Sequence, residues 1–438
     1  MSKEDFIMLL NALDINEDEL LLLSLESGFI RRTRKIDSLD FLYSLSIESI
    51  KGIASYNDIA LSIENENHIS ISRQAIWKKV TESCVDYFKH VLELIIHSKA
   101  KKYLNEVEDV KCKFKRVLIQ DSTIIKLPGR LFSVFSGVSN GSTTVCNARI
   151  QGIYDLLSGS FVSFTINPYS KNDQASVSDM NIQKDDLTLR DRGYLTMDEL
   201  RRHFLLGAHC IYRYKTGMQL LDYKTKEAID ILSLLKKKGA IDISVRLNDK
   251  EGTPVRLVAM LVDQETADNR RMKAKREMKG HCPSELFLQL QSWTIFITTI
   301  PEDMADSNVL LNIYGLRWRI EIIFKSWKSN MHFDNIHNVS KNQLMITLIA
   351  RIIMFLIITQ IIYPLCKSII SRYAKLELSL LKVTKYFIRN PSSLPSILVE
   401  LKNYPRGQCN TIASISRHCV YEKRTRQNFE QKFGILEP

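Results

Sequence analysis

At Lys111 the hydrophobic rhythm of the chain shortens, and the hundred or so residues beyond it constrain the fold more than any other stretch. Arg116-Val117-Leu118-Ile119-Gln120-Asp121-Ser122-Thr123-Ile124-Ile125 is a β-rich run with an acid in its middle. Ala148 to Tyr154 and Ser160 to Ile166 read as two more strands, joined by a turn at Leu157-Ser158-Gly159. Asn172 to Ile182 suits a short helix, and Leu187 to Asp191 a short strand ending at Arg192-Gly193-Tyr194. Thr196 then caps a helix over Met197 to Phe204, and Gly207 to Tyr214 reads as a further strand. Three early strands followed by alternating helix and strand indicate an α/β sheet.

The flanks follow other rules. Residues 1–105 read as mostly helical: Glu17 to Ser27 is acidic then leucine-rich, and the basic cluster Arg31-Arg32-Thr33-Arg34-Lys35 comes after it. Tyr56-Asn57-Asp58-Ile59-Ala60, a polar break, and a second helix opening at Ser70–Ser72 and running through Lys79 resemble a helix-turn-helix. Within 215–300 the alternation breaks. Ile241 to Leu247, Val255 to Val262 and Trp293 to Thr299 look like strands around a basic segment, Arg270 to Lys279, so this block reads as a mainly β insertion. A long helix is expected from about Ser307 to Lys328, with helices to the end. The expected organisation is a helical, DNA-binding region over 1–105, a core in two parts (106–214 and 301–375) around the 215–300 insertion, and a helical region over 376–438.

Composition narrows the class. Of 438 residues, 45% are hydrophobic and 25% charged, as in an ordinary globular protein. The excess of 61 basic over 49 acidic residues, +12 in all, favours a polyanionic partner. The eight cysteines show no zinc-knuckle spacing, and reduced thiols in a cytoplasmic protein are expected; the adjacent pairs His209-Cys210 and His281-Cys282 are poorly placed to share one ion. The N-terminus lacks the order of a signal peptide. Leu344 to Leu365 is apolar enough to suggest a membrane span, but Arg351 near its centre predicts a buried core helix and no membrane.

Two acids lie at special places in the α/β region. Asp121 sits inside an apolar strand, where an unpaired charge is costly, and Asp191 ends a strand at the edge where α/β sheets build their sites. A third acid, Glu321, falls on the expected long helix. At about 100° per residue, Tyr314, Arg317, Glu321 and Lys328 share an arc of roughly 60°, while Leu316, Ile320, Ile323, Phe324 and Trp327 cover an apolar one. An exposed amphipathic helix with an Arg317–Glu321 ion pair has the same spacing.

Tyr314-x2-Arg317-x3-Glu321-x6-Lys328 resembles the signature of the insertion-sequence-four family of bacterial DDE transposases, and Asp121-Ser122-Thr123 and Asp191-Arg192-Gly193-Tyr194 are similar to its other two acidic motifs, in the right order. The resemblance implies an α/β RNase H-like catalytic core interrupted by the β insertion. It implies that Asp121, Asp191 and Glu321 are catalytic and hold two Mg²⁺ ions, with Mn²⁺ able to substitute. Tyr314, Arg317 and Lys328 would then hold DNA phosphates; Arg213 and the Arg270–Lys279 cluster are either DNA-backbone contacts or simply a solvated basic run. Trp293, placed like the tryptophan that stacks on a flipped base in cut-and-paste members, is either that platform or a core aromatic. The implied partner is double-stranded DNA, both the terminal inverted repeats and the target, bound by a homodimer on paired ends. The alternatives are an RNase H-like nuclease or resolvase, which cuts without joining, and a non-catalytic DNA-binding protein.

Overall fold

The computed structural model describes residues 1–32, 35–52, 54–98, 112–137, 145–277, 282–403, 410–422 and Leu436. Thr33 and Arg34 of the basic cluster, Lys279, His281, the stretch 99–105 and most of 404–438 lie outside the described residues.

The strands in chain order are β1 (Arg116–Lys126), β2 (Asn147–Asp155), β3 (Ser160–Pro168), β4 (Asp186–Arg190), β5 (His209–Arg213), β6 (Leu220–Asp222), β7 (Ile241–Leu247), β8 (Pro254–Leu261) and β9 (Trp293–Thr298). They form one mixed nine-stranded sheet in the order β3-β2-β1-β4-β5-β9-β8-β7-β6. β1 pairs antiparallel with β2 and parallel with β4, and β4 pairs parallel with β5. β9 returns antiparallel beside β5 and carries β8, β7 and β6 outward. The strands between 215 and 300 therefore extend the same sheet, and three helices lie among them: Ile231–Lys238, Gln264–Glu277 and Glu285–Leu290. The short helix expected over Asn172–Ile182 is a 3₁₀ segment, Gln174–Asp179.

The long helix expected from Ser307 to Lys328 is two helices, Ser307–Gly315 and Trp318–Asn330. Between them Leu316 N–H donates to Ile313 and Arg317 N–H to Tyr314, three residues back, so the winding tightens and the phase of the two helices shifts. Gly315, a weak helix former, stands at the break. An arc drawn through Tyr314 as though on the glutamate's own helix is thereby corrected. The apolar stripe still holds: Leu316, Ile320, Ile323, Phe324 and Trp327 are buried.

Packed against the N-terminal helices Ser38–Lys51 and Glu82–His97 is the long apolar helix Lys341–Ile357, continued by a π turn into Tyr363–Ala374. It is long and apolar enough to cross a membrane, but 94% of its most apolar window is buried within the protein. Arg351 at its centre is held by three carbonyls: Nε donates to Ser49, and the two terminal nitrogens to His332 and Gly52. That one side chain fastens the N-terminal helix Ser38–Lys51 to the segment just after the Trp318–Asn330 helix.

In the N-terminal region, Tyr56–Asn67 ends at His68 in the left-handed conformation, and Arg73–Lys79 starts with the Ser72 hydroxyl accepting from Ala75 N–H. Ile76 packs inward, while Arg73, Gln74, Lys78 and the indole of Trp77, 61% exposed, face out.

Candidate active site

The site lies at the carboxyl end of β4. Register sets it: Gln120 of β1 pairs with Arg190 of β4, so Asp121 and Asp191 come next on adjacent parallel strands. On the other side Asp121 pairs with Gly152 of β2. A Cβ at Gly152 would stand 2.9 Å from the Phe161 ring and 3.3 Å from that of Phe324, so the missing side chain lets the glutamate helix approach the sheet beside Asp121.

Arg317 links two of the acids. One of its terminal nitrogens is 2.7 Å from Glu321 Oε1, and the other 3.6 Å from Asp121 Oδ2. Its guanidinium is nearly buried and its Nε has no hydrogen-bond partner. Asp121 Oδ1 accepts the Ser122 N–H at 2.8 Å. Burial pushes the Asp121 carboxyl up to about 7, with the charges of Glu321 and Asp191 adding to the rise, while the Ser122 N–H and Arg317 oppose it. The three acids thus converge electrostatically, although among the described residues no three such side chains form a ready-made metal cage. Carboxylate oxygens around a half-buried, under-neutralised Asp121 are the ligand type that a hard divalent cation takes.

Tyr314 is buried, its hydroxyl 3.4 Å from the Arg190 carbonyl just before Asp191. Burial raises its pKa, so it remains a phenol donor, and the guanidinium carbons of Arg213 and Arg317 lie 5.9 and 5.7 Å from its ring. Behind Asp191, the fully buried Arg190 pairs with Glu199 Oε1 at 2.8 Å and reaches the Tyr212 hydroxyl at 3.2 Å. Beside Asp121, a groove of about 490 Å³ runs from Asp121, Ser122, Thr123 and Glu321 past Phe324, Lys325, Lys328 and Ser329 to Asp334. Burial lowers the Lys328 pKa and the charge of Asp334 opposes that.

Trp293 opens β9. Since β9 runs antiparallel to β5, with Phe296 opposite Arg213, Trp293 lies toward the same end of the sheet as Asp191. Its indole N–H donates to the Gly239 carbonyl at 2.6 Å, and the half-buried ring packs on the apolar cluster beneath the outer strands. Arg270 donates to the Trp293 carbonyl at 3.2 Å and Arg271 to Ser292 Oγ, so the described part of the basic segment is anchored beside it.

Sequence reasoning missed several side chains here. Trp318, next to Arg317 in the chain, is 59% exposed with the Arg317 guanidinium 5.8 Å from its ring. Its mark in the sequence was a large apolar residue off the helix's apolar stripe. Asp334, Lys325 and Ser329 in the groove, and Asp173 beneath Ser122, carried no sequence signal.

Residues 113–357, more than half of the chain, match the family described as Transposase DDE domain, and the chain belongs to that family of DNA-acting enzymes. It is 26% identical to the transposase for insertion sequence element IS231B of Bacillus thuringiensis subsp. berliner, over 80% of this chain and 78% of that protein. It is 28% identical to the transposase for insertion sequence element IS1151 of Clostridium perfringens, over 84% of this chain and 82% of that protein. Among solved structures, a piggyBac transposase synaptic complex with hairpin DNA aligns at a TM-score of 0.43 and 10% identity, over 93% of this chain and 83% of that one, a likeness too low to bear weight. With these relatives the chain stands as a DDE transposase of the insertion-sequence-four kind.

Proposed function

We propose that this chain cuts DNA at the ends of a transposable element and joins those ends to a new target, with Mg²⁺ held by Asp121, Asp191 and Glu321. The observation that carries the reading is Arg317 lying between Asp121 and Glu321 while Asp191 raises the Asp121 carboxyl: three acids from distant parts of the sequence share one field. The order β3-β2-β1-β4-β5, with β4 and β5 parallel to β1, supports an RNase H-like core in two parts, 106–214 and 301–375. Residues 215–300 are its insertion, and 1–105 and 376–438 its helical ends.

The chemistry that two bound ions supply is activation of an attacking water or 3′-hydroxyl and stabilisation of the leaving oxygen. Each side chain has its own part. Asp121 and Glu321, with Asp191, would hold the metal where Arg317 now lies, and the guanidinium would then be free for bidentate phosphate contact. Tyr314, whose hydroxyl here donates to the Arg190 carbonyl, would turn that one proton to a phosphate oxygen, and Lys328 supplies a point charge farther along the groove. Arg213 backs Tyr314. Trp293 offers a ring edge at the same end of the sheet, and the exposed Trp318 a second aromatic surface beside Arg317. The exposed face of Arg73–Lys79 reads terminal repeats as the second helix of a helix-turn-helix. The protein acts in the cytoplasm as a homodimer on paired ends.

The test is a gel assay with the element's own ends, Mg²⁺ and purified protein, followed by pre-cleaved ends with a plasmid target. Cleavage and covalent joint molecules are expected. Cleavage without joints would leave a nuclease or resolvase, and end binding with neither would leave a DNA-binding protein.

A further inference from the structure

On a strand, successive side chains point to opposite faces. Asp121 faces the glutamate helix, whereas Ser122 faces the other way, into a group of polar side chains that the proposed chemistry does not use. Register places Gln151 opposite Ser122 and Arg149 opposite Ile124, so these side chains share that face. All three converge on one oxygen. Asp173 Oδ1 accepts from Ser122 Oγ at 3.0 Å, from an Arg149 terminal nitrogen at 2.8 Å and from Gln151 Nε2 at 3.2 Å. The same Arg149 nitrogen also donates to Ser122 Oγ at 3.0 Å, and its guanidinium carbon lies 4.8 Å from the Tyr169 ring.

The connection reaches the second acid as well. Gln151 Oε1 accepts the Tyr194 hydroxyl at 2.7 Å, and Tyr194 N–H closes the turn onto the Asp191 carbonyl at 3.0 Å. A Cβ on Gly193, within that turn, would come 3.3 Å from Asp173 Oδ2, so the turn rests directly on this carboxylate. Asp173 therefore touches the residue after Asp121 on one side and the turn that begins at Asp191 on the other.

We infer that Asp173 is a positioning residue, holding β1 and the Asp191–Tyr194 turn at the spacing that lets Asp121 and Asp191 share divalent metal. The inference rests on the proposed role of those two acids. Partners of this kind, one shell out from the ligands, set metal affinity by orienting the ligands. Arg149 occupies Asp173 as an ion pair, so the carboxylate acts through Ser122 and the turn and is not itself a ligand.

The experiment is Mn²⁺ titration of the metal-free full-length protein by electron paramagnetic resonance, with thermal unfolding in chelator as a check on folding. Asp173→Ala is expected to weaken Mn²⁺ binding by about tenfold or more. Asp173→Asn keeps an oxygen where the three donors converge and is expected to bind close to wild type. Ser122→Ala cuts only the β1 arm, and a several-fold loss is expected. Asp121→Asn should remove most binding. Wild-type affinity in a cooperatively folded Asp173→Ala or Ser122→Ala overturns the inference. So does a folded Asp173→Asn variant that binds Mn²⁺ about tenfold or more weaker than wild type, because the charge would then act as a direct ligand. Should Asp173→Ala fail to fold, Ser122→Ala and Asp173→Asn decide alone. If Asp121→Asn itself binds Mn²⁺ normally, the metal reading of the acids fails, an outcome distinct from failure of Asp173 alone.

Discussion

The two ends of one strand pair treat an aspartate in opposite ways. At the amino end of β4, Asp186 is fully buried and satisfied: Arg116 of β1 grips both of its oxygens, and Gln183 N–H adds a bond at 2.7 Å. At the carboxyl end, a few residues along the same strands, Asp121 has one backbone N–H and an arginine at 3.6 Å that is closer to Glu321. Its carboxyl is pushed up to about 7 chiefly by burial. A compensated acid holds a sheet together, whereas an under-compensated one marks a candidate functional site, here the one proposed to take a cation.

The sharpest break in that contrast is chemical. Asp121→Asn, Asp191→Asn or Glu321→Gln is expected to take both cleavage and joining to background in the gel assay while DNA-end binding remains. Asp186→Ala is expected to act on folding alone. Removing one partner of a buried pair costs about 3–5 kcal/mol, with the lower figure expected because Arg116 keeps some solvent contact. Denaturant unfolding should register that loss, and Mn²⁺ bound per folded molecule should not change. A metal deficit in Asp186→Ala would erase the distinction between the two ends.

Titration sharpens the comparison further. An unfolded aspartate titrates near about 3.9, and the folded Asp121 near 7, so the metal-free fold binds this proton more tightly than the unfolded chain. The group's contribution to stability is fully present below the unfolded value and is lost as pH rises through the folded one. Asp121→Asn should therefore raise the melting midpoint in chelator, by little near pH 4 and most above pH 7. A gain that does not grow with pH would refute the assignment. The smallest expected effect belongs to Arg317→Ala, whose salt dependence of end binding should fall by about 0.9 in log–log slope, one phosphate contact. An unchanged slope would confine Arg317 to its two acids.

Part of this was legible in order and periodicity. The acids Asp121 and Asp191 were visible because a charge in or at the end of an apolar strand stands out. The buried arginine of the apolar helix was visible for the same reason, and Arg351 answers it with three carbonyls. The break at Leu316–Arg317 was not legible, because apolar periodicity continues through it and only the hydrogen-bond pattern changes. Nor was the joining of β6–β9 to the core sheet, since a strand's own sequence carries its faces but not its partner. Asp173 lay at the start of a stretch that reads as a short helix, with nothing to mark it as a partner of Ser122.

What the sequence by itself determined is local and chemical: which segments are strands, where the caps fall, which acids exist and in what order, and that the net charge is +12. Only the tertiary structure decided which of these meet. Pairing of β1 with β4 put Asp121 beside Asp191, the bare Gly152 let Glu321 approach, and Asp173 was brought beneath both strands by a loop. The physical reason is range. Propensity and periodicity act over a few residues, while desolvation and charge act between any groups that packing brings into contact.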